Sequence, residues 1–226
     1  MTDRPTPNAA RLPEVAEAAR PHARCLVPQD GTKGCPPAGP FPGLRAAVIC
    51  SSVTGNTRRV AEALTLGRFP LYDVRQRPDT AAYDLLALGF WVRKGLPDAR
   101  SQGFWEGLHG KRIFLFGTLG AWPASAHARR CLEGAHSLLT ANDNRIVGEF
   151  LCQGRVSPQV LAVSARKGTH PMTEGRAARL AEAARHPDAG DLTAARECWQ
   201  AVLAALVPQA AAPAGHPILP QRSIAS

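Results

Sequence analysis

Apolar positions along this chain fall into two alternating textures. Short runs, RAAVICS (45–51), FPLYDV (69–74), YDLLALGFW (83–91), KRIFLFGT (111–118) and NRIVGEFLC (144–152), have the length of strands. Those at 83–90 and 112–117 are apolar at successive positions, as strands covered by helices on both faces need to be. Between them, stretches with polar positions interspersed predict helices over 56–66, 99–108, 124–139 and 191–206. Strand and helix in alternation predict an α/β fold on a five-stranded parallel sheet.

The alternation has borders. Residues 1–42 carry RPTP and CPPAGPFPG, with one short helix-like stretch, LPEVAEAAR, and read as a flexible Pro-rich tail. After the fifth run, residues 153–190 read as an insertion with a helix near 173–185 that starts at Pro171 and Thr173. The closing 208–226 lacks periodicity and reads as a disordered tail, which leaves 43–207 as the one folded domain.

The first strand runs out into ICSSVTGNTRRVAEAL (49–64), and the carboxyl end of a parallel strand is where ligands settle. Ser51, Ser52, Val53, Thr54, Gly55, Asn56 and Thr57 combine hydroxyls, an amide and a flexible glycine ahead of a helix N-terminus. Free backbone N–H groups and the positive end of the helix suit a phosphate. With no lysine in the loop and neither G-x-x-x-x-G-K-[ST] nor G-x-G-x-x-G, a monophosphate fits better than ATP or a dinucleotide. A Ser/Thr/Asn turn that merely caps its helix is the plainer reading of the same residues.

Thr54-Gly55-Asn56-Thr57, preceded by Ser52, resembles the phosphate-binding loop of flavodoxins, which hold FMN without cationic side chains. In that family the loops after the third and fourth strands sandwich the isoalloxazine ring. Here LGFWVRKGLPDA brings Phe90, Trp91, Val92 and Gly95, and FGTLGAWPAS brings Gly117, Thr118, Leu119, Gly120 and Trp122. Glycines let backbone approach a flat ring, and aromatic faces stack on it. The resemblance covers Leu44 to about Leu206 and implies a three-layer sandwich with strand order 2-1-3-4-5 and FMN as cofactor. It is similar to a branch with the signatures LGFWVRKGLPD, FGTLGA and FLCQGRVSP, which includes partners of a bilirubin-reducing system.

Charge separates the chain from ordinary flavodoxins, which are strongly acidic: 27 Lys+Arg against 18 Asp+Glu give +9. The basic residues are scattered in ones and twos without interleaved aromatics, so a nucleic-acid partner is not expected and an acidic redox partner protein is. The resemblance implies an electron carrier, with no catalytic side chain and FMN supplying the chemistry. The rival readings are an FMN-dependent NAD(P)H reductase of a quinone, metal or tetrapyrrole, and a flavodoxin-like module without cofactor. The protein is expected to be a monomer or homodimer.

No apolar run approaches the roughly 20 residues that cross a bilayer, and the N-terminus has no apolar core, so no membrane association and a cytoplasmic location are expected. Cys25, Cys35, Cys50, Cys131, Cys152 and Cys198 stand singly, without metal-ligand spacing. They read as reduced, mostly buried thiols, with Cys25 and Cys35 close enough in the tail to pair. The seven dispersed histidines predict no metal site.

Overall fold

The computed structural model describes residues 23–26, 43–168 and 171–206. Chain order is β1 (Ala23–Leu26), β2 (Ala46–Cys50), α1 (Asn56–Leu64), β3 (Leu71–Asp73), β4 (Leu85–Arg93), β5 (Leu96–Pro97), α2 (Ala99–Trp105) and β6 (Arg112–Leu119). There follow α3 (Ala126–Thr140), β7 (Arg145–Gln153), α4 (Pro158–Lys167), α5 (Glu174–Ala183) and α6 (Ala189–Leu206).

Five strands pair in parallel in the spatial order β3-β2-β4-β6-β7. The sheet is nevertheless seven-stranded and mixed, which corrects the expectation of five parallel strands alone. β1 lies antiparallel on β7, from Ala23 opposite Cys152 to Leu26 opposite Glu149. β5 folds back antiparallel on the end of β4, with Arg93 opposite Leu96.

Alternation along the strands fixes the two cores. Val48, Cys50, Phe114, Phe116 and Phe150 face one way and pack with Val60 and Leu64 of α1 and Trp199, Val202 and Leu203 of α6. Ile49, Leu86, Leu88, Phe90 and Leu115 face the other and pack with Trp105 of α2 and Leu132 and Leu139 of α3. In α1 the buried positions Thr57, Val60, Ala61 and Leu64 repeat at helical spacing. Phe69, expected in the second strand, packs edge-on to Trp199 at 5.8 Å, and that strand is only Leu71–Asp73.

β1 lies inside the segment expected to be a flexible tail, and it is covalently fixed: Cys25 and Cys198 form a disulfide across 173 residues. This corrects both the reduced reading of these two thiols and the pairing of Cys25 with Cys35, which lies outside the described residues. Cys50, Cys131 and Cys152 are free and buried. The LPEVAEAAR stretch and residues 208–226 also lie outside the described residues.

The insertion is two helices. α5 falls where a helix was expected; α4, which was not foreseen, starts at Pro158 and buries none of its residues. The insertion is tied down where it returns to the fold. Arg155 N–H donates to the His186 carbonyl at 3.1 Å, and the buried His186 ring meets Asp191 at 2.5 Å and Glu182 at 3.1 Å. The carboxylates of Glu182 and Asp191 belong to this same corner, so the buried polar groups are hydrogen-bonded there.

Candidate functional site

Two cavities adjoin at the carboxyl ends of β2, β4, β6 and β7. The first, about 500 Å3, runs from Val53, Thr54 and Asn56 to Trp91, Val92, Thr118, Leu119 and Gly120, and on to Gly154–Ser157, Gln159 and Val160. The second, about 780 Å3, lies between Val92, Lys94 and Gly95 on one side and Leu119–Trp122 on the other, with Ser125, His127 and Arg179 completing it. Val92, Leu119 and Gly120 belong to both.

The first loop is built by its own polar groups. Gly55 takes a left-handed conformation (φ 86°) and starts α1 without a side-chain cap of its own, and its neighbours Thr54 and Asn56 line the first cavity. Ser52 Oγ accepts from Arg58 N–H at 3.3 Å from beside the turn. Asn56 Nδ2 donates to the Arg155 carbonyl at 2.9 Å and joins this loop to the one after β7. Thr57 Oγ1 and Thr118 Oγ1 share a buried hydrogen bond of 2.9 Å.

Three expected site residues face elsewhere. Ser51 is buried and donates to Asp98 Oδ1 at 2.8 Å; Asp98 also accepts from Ser101 Oγ at 2.7 Å and caps α2. Phe90 is wholly buried and packs edge-on to Trp105 at 5.7 Å. Gly117 lies under Phe90 and Leu151, whose atoms stand 2.8 and 2.9 Å from where a Cβ would sit. Strand alternation explains Phe90: it shares the inward face of Leu86 and Leu88, whereas Trp91 projects to the cavity side.

Trp91, Val92 and Gly95 are held in a hairpin rather than an open loop. Lys94 (φ 54°) and Gly95 (φ 82°) form its two-residue turn, both in the left-handed region, as a type I′ turn requires.

The lining of the first cavity by Gly154–Ser157, Gln159 and Val160 was missed in the sequence. Its signal was the glycine that follows the fifth strand in FLCQGRVSP, which sits on the same sheet edge as the turn Ser52–Thr57. Arg179, reaching from α5 to donate from Nη1 to the Gly120 carbonyl, had no sequence signal.

The residues fit FMN on grounds of their own. Trp91 stands on the wall of the first cavity, so an aromatic side chain is part of its lining. The N-terminus of α1, whose N-cap glycine offers no side chain, favours an anion at the cavity's other end. Between them the walls are largely apolar, with the face of Trp91 available to a flat ring.

A family model described as a flavodoxin domain matches residues 47–200. The flavodoxin-like domain-containing protein BilS of Clostridioides difficile (strain CD3) is 33% identical over 128 residues, covering 50% of this chain and 68% of that protein. BilS of Clostridium symbiosum (strain WAL-14163) is 28% identical over 178 residues, 67% of this chain and 92% of that protein. Among solved structures, oxidised flavodoxin 2 from Bacillus cereus aligns with a TM-score of 0.48 at 14% identity, over 71% of this chain and 98% of its own. An FMN complex of a flavoprotein from Lactobacillus acidophilus NCFM aligns with a TM-score of 0.38 at 10% identity, over 56% of this chain and 99% of its own. The chain belongs to the flavodoxin domain family, whose cofactor is FMN.

Proposed function

We propose that this protein is an FMN-binding electron-transfer protein that passes electrons to a partner oxidoreductase. The observation that carries the reading is the N-terminus of α1, begun by a glycine that offers no side-chain cap, on the same cavity as the Trp91 side chain. The phosphate would be held by the backbone N–H groups of the turn around Gly55, with Thr54 and Asn56 at its edge. The ring would lie against Trp91, with Val92, Thr118, Leu119 and Gly120 around it and Gly95 and Trp122 where the second cavity begins.

Bound FMN supplies electron transfer in one- or two-electron steps. The chain's own contribution is to fix position and exclude water. Thr57 and Thr118 lock the first and third of these loops together, and Asn56 closes the phosphate turn against Arg155. No side chain is needed as an acid or base for this work.

The exposed Arg59, Arg93 and Lys94 present positive charge near the cavities and favour an acidic partner surface. A cytoplasmic location is proposed with this reading; no helix among the described residues is long and apolar enough to cross a membrane.

The reading is tested by the absorption spectrum of the purified protein and by identifying what denaturation releases. Stoichiometric FMN supports it. A colourless preparation that takes up no added FMN refutes it. Replacing Thr54 by Leu should abolish retention, and unchanged affinity would remove the phosphate from this turn.

A further inference from the structure

The insertion between β7 and α6 carries apolar surface that the fold leaves uncovered. Six large apolar side chains stand exposed among the described residues, and three of them, Val160, Val163 and Met172, fall within residues 158–172. α4 buries none of its residues, although Val160, Leu161 and Val163 stand on it. Single exposed apolar residues are ordinary, whereas a cluster on one short segment marks a contact surface.

Between α4 and α5 this surface is hollowed into a groove of about 470 Å3. Val156, Val160, Leu161 and Leu180 make its walls, and Arg176 and Arg179 bring charge to it from α5. Arg176 Nη2 donates to Ser164 Oγ at 3.4 Å, and Arg179 donates to the Gly120 carbonyl, so both guanidiniums are held in place. The groove begins where the first cavity ends, because Val156 and Val160 line both. Leu161, Leu180 and Arg176 line neither of the two cavities at the strand ends, so the groove extends beyond the space assigned to FMN.

Charge on the insertion is one-sided. From 155 to 185 the cations are Arg155, Arg166, Lys167, Arg176, Arg179 and Arg185, against the carboxylates of Glu174 and Glu182. Glu182 is engaged by Arg185 and His186. Arg166 and Lys167 are exposed in the last turn of α4. Burial and the neighbouring Arg176 charge lower the pKa of Arg179, as happens where cations are brought together away from water. An occupant of the groove must offer apolar side chains to its walls and carboxylates to its arginines. A nucleic acid has no such apolar side chains, and an acidic amphipathic stretch of protein has both.

We propose that the α4–α5 groove docks an acidic amphipathic helix of the partner oxidoreductase, a reading that rests on the electron-transfer function proposed above. Apolar side chains at every third or fourth position of that helix fill the groove between Val160 and Leu180, and carboxylates beside them accept from Arg176 and Arg179. Because Val156 and Val160 belong to both spaces, a helix seated there lies at the mouth of the first cavity.

The experiment is fluorescence anisotropy of a fluorescein-labelled peptide titrated with the full-length, FMN-loaded protein. The probe is a short helical peptide with leucines at positions i, i+3, i+4 and i+7 and glutamates flanking them. One control carries lysine in place of every glutamate, and the other carries serine in place of every leucine. The glutamate–leucine peptide should bind saturably and neither control should. Arg176→Glu should weaken binding by about tenfold or more. Arg166→Glu combined with Lys167→Glu should weaken it by about threefold or more, and FMN content should be unchanged in both proteins. The double variant alters exposed positions only, so the test stays usable if Arg176→Glu misfolds. The proposal is overturned if the peptide does not saturate, if the serine control binds as well, or if the charge reversals leave the affinity unchanged. It is also overturned if vesicles containing phosphatidylserine bind through the same arginines more tightly than the peptide, which would assign the groove to a lipid surface. Protein that holds FMN and ignores the peptide removes the docking site and leaves the flavin reading standing. Colourless protein that takes up no FMN and binds the peptide through Arg176 does the reverse.

Discussion

Thr57 and Thr118 face each other hydroxyl to hydroxyl at 2.9 Å, buried, 61 residues apart in sequence. One opens α1 and the other nears the end of β6, so the bond fixes the spacing of the turn before α1 and the end of β6. Thr57→Val keeps the shape and leaves the Thr118 hydroxyl buried without its partner, which costs about 1–3 kcal/mol. Urea unfolding should record that loss, and a flavin fluorescence titration should show weaker FMN. Adding Thr118→Val should recover part of the stability, because two apolar groups then meet. A Thr57→Val protein as stable as the parent would show that the bond contributes nothing.

Phe90 and Trp91 are neighbours with opposite duties. Phe90 is buried against Trp105, while Trp91 lines the first cavity. Phe90→Ala should cost about 3–5 kcal/mol of stability, as large core truncations do. Trp91→Ala should cost less stability and more FMN affinity. Thermal melts and FMN titrations of both variants decide it, and the reverse ranking would put the flavin against Phe90.

Burial sets the reactivity of the thiols. It pushes the Cys50 thiol up to about 12 and the wholly buried Cys152 thiol well above its ordinary value. Thiolate is the reactive form, so neither should be alkylated by iodoacetamide in the native protein at pH 8, with or without prior reduction. Cys25, exposed on an edge strand, should become labelled once its bond to Cys198 is reduced. Peptide mass mapping reads each site. The raised pKa also has a sign for stability: the neutral thiol of Cys50 contributes fully below its unfolded value near 9, and the contribution is lost as pH rises towards 12. Cys50→Ala should flatten that part of the alkaline stability profile.

What the sequence made legible was local. The turn Ser52–Thr57 declares itself because hydroxyls, Gly55 and Asn56 stand together between an apolar strand and an amphipathic helix. The fates of Phe90 and Trp91 were not legible, because β4 is buried on both faces and its apolar run hides which face each residue takes. β1 is four residues, ARCL, in a Pro-rich segment. Its strand state comes from pairing with β7, more than a hundred residues away, and no periodicity in so short a piece could announce it. The Cys25–Cys198 bond is non-local in the same way. Arg179 is similarly hidden: on α5 it looks like one more solvated arginine, and only the packing of the insertion brings it to Gly120.

Gly154 offers the sharpest test of how the first cavity is closed. A Cβ there would stand 2.7 Å from Asn56 Nδ2 and 3.1 Å from Asn56 Cβ, closer than side chains pack. Since Asn56 is the residue that donates to the Arg155 carbonyl, Gly154→Ala must push it off that bond and part the loop after β7 from the turn Ser52–Thr57. The strands themselves are untouched, so the fold should lose little while FMN affinity falls by about tenfold, equivalent to 1.4 kcal/mol. Asn56→Ala in the Gly154→Ala background makes room for the new methyl group. If the clash is the cause, the double variant should bind FMN no more weakly than Asn56→Ala alone. Should Gly154→Ala retain full FMN affinity, the contact between these two loops has no part in holding the cofactor.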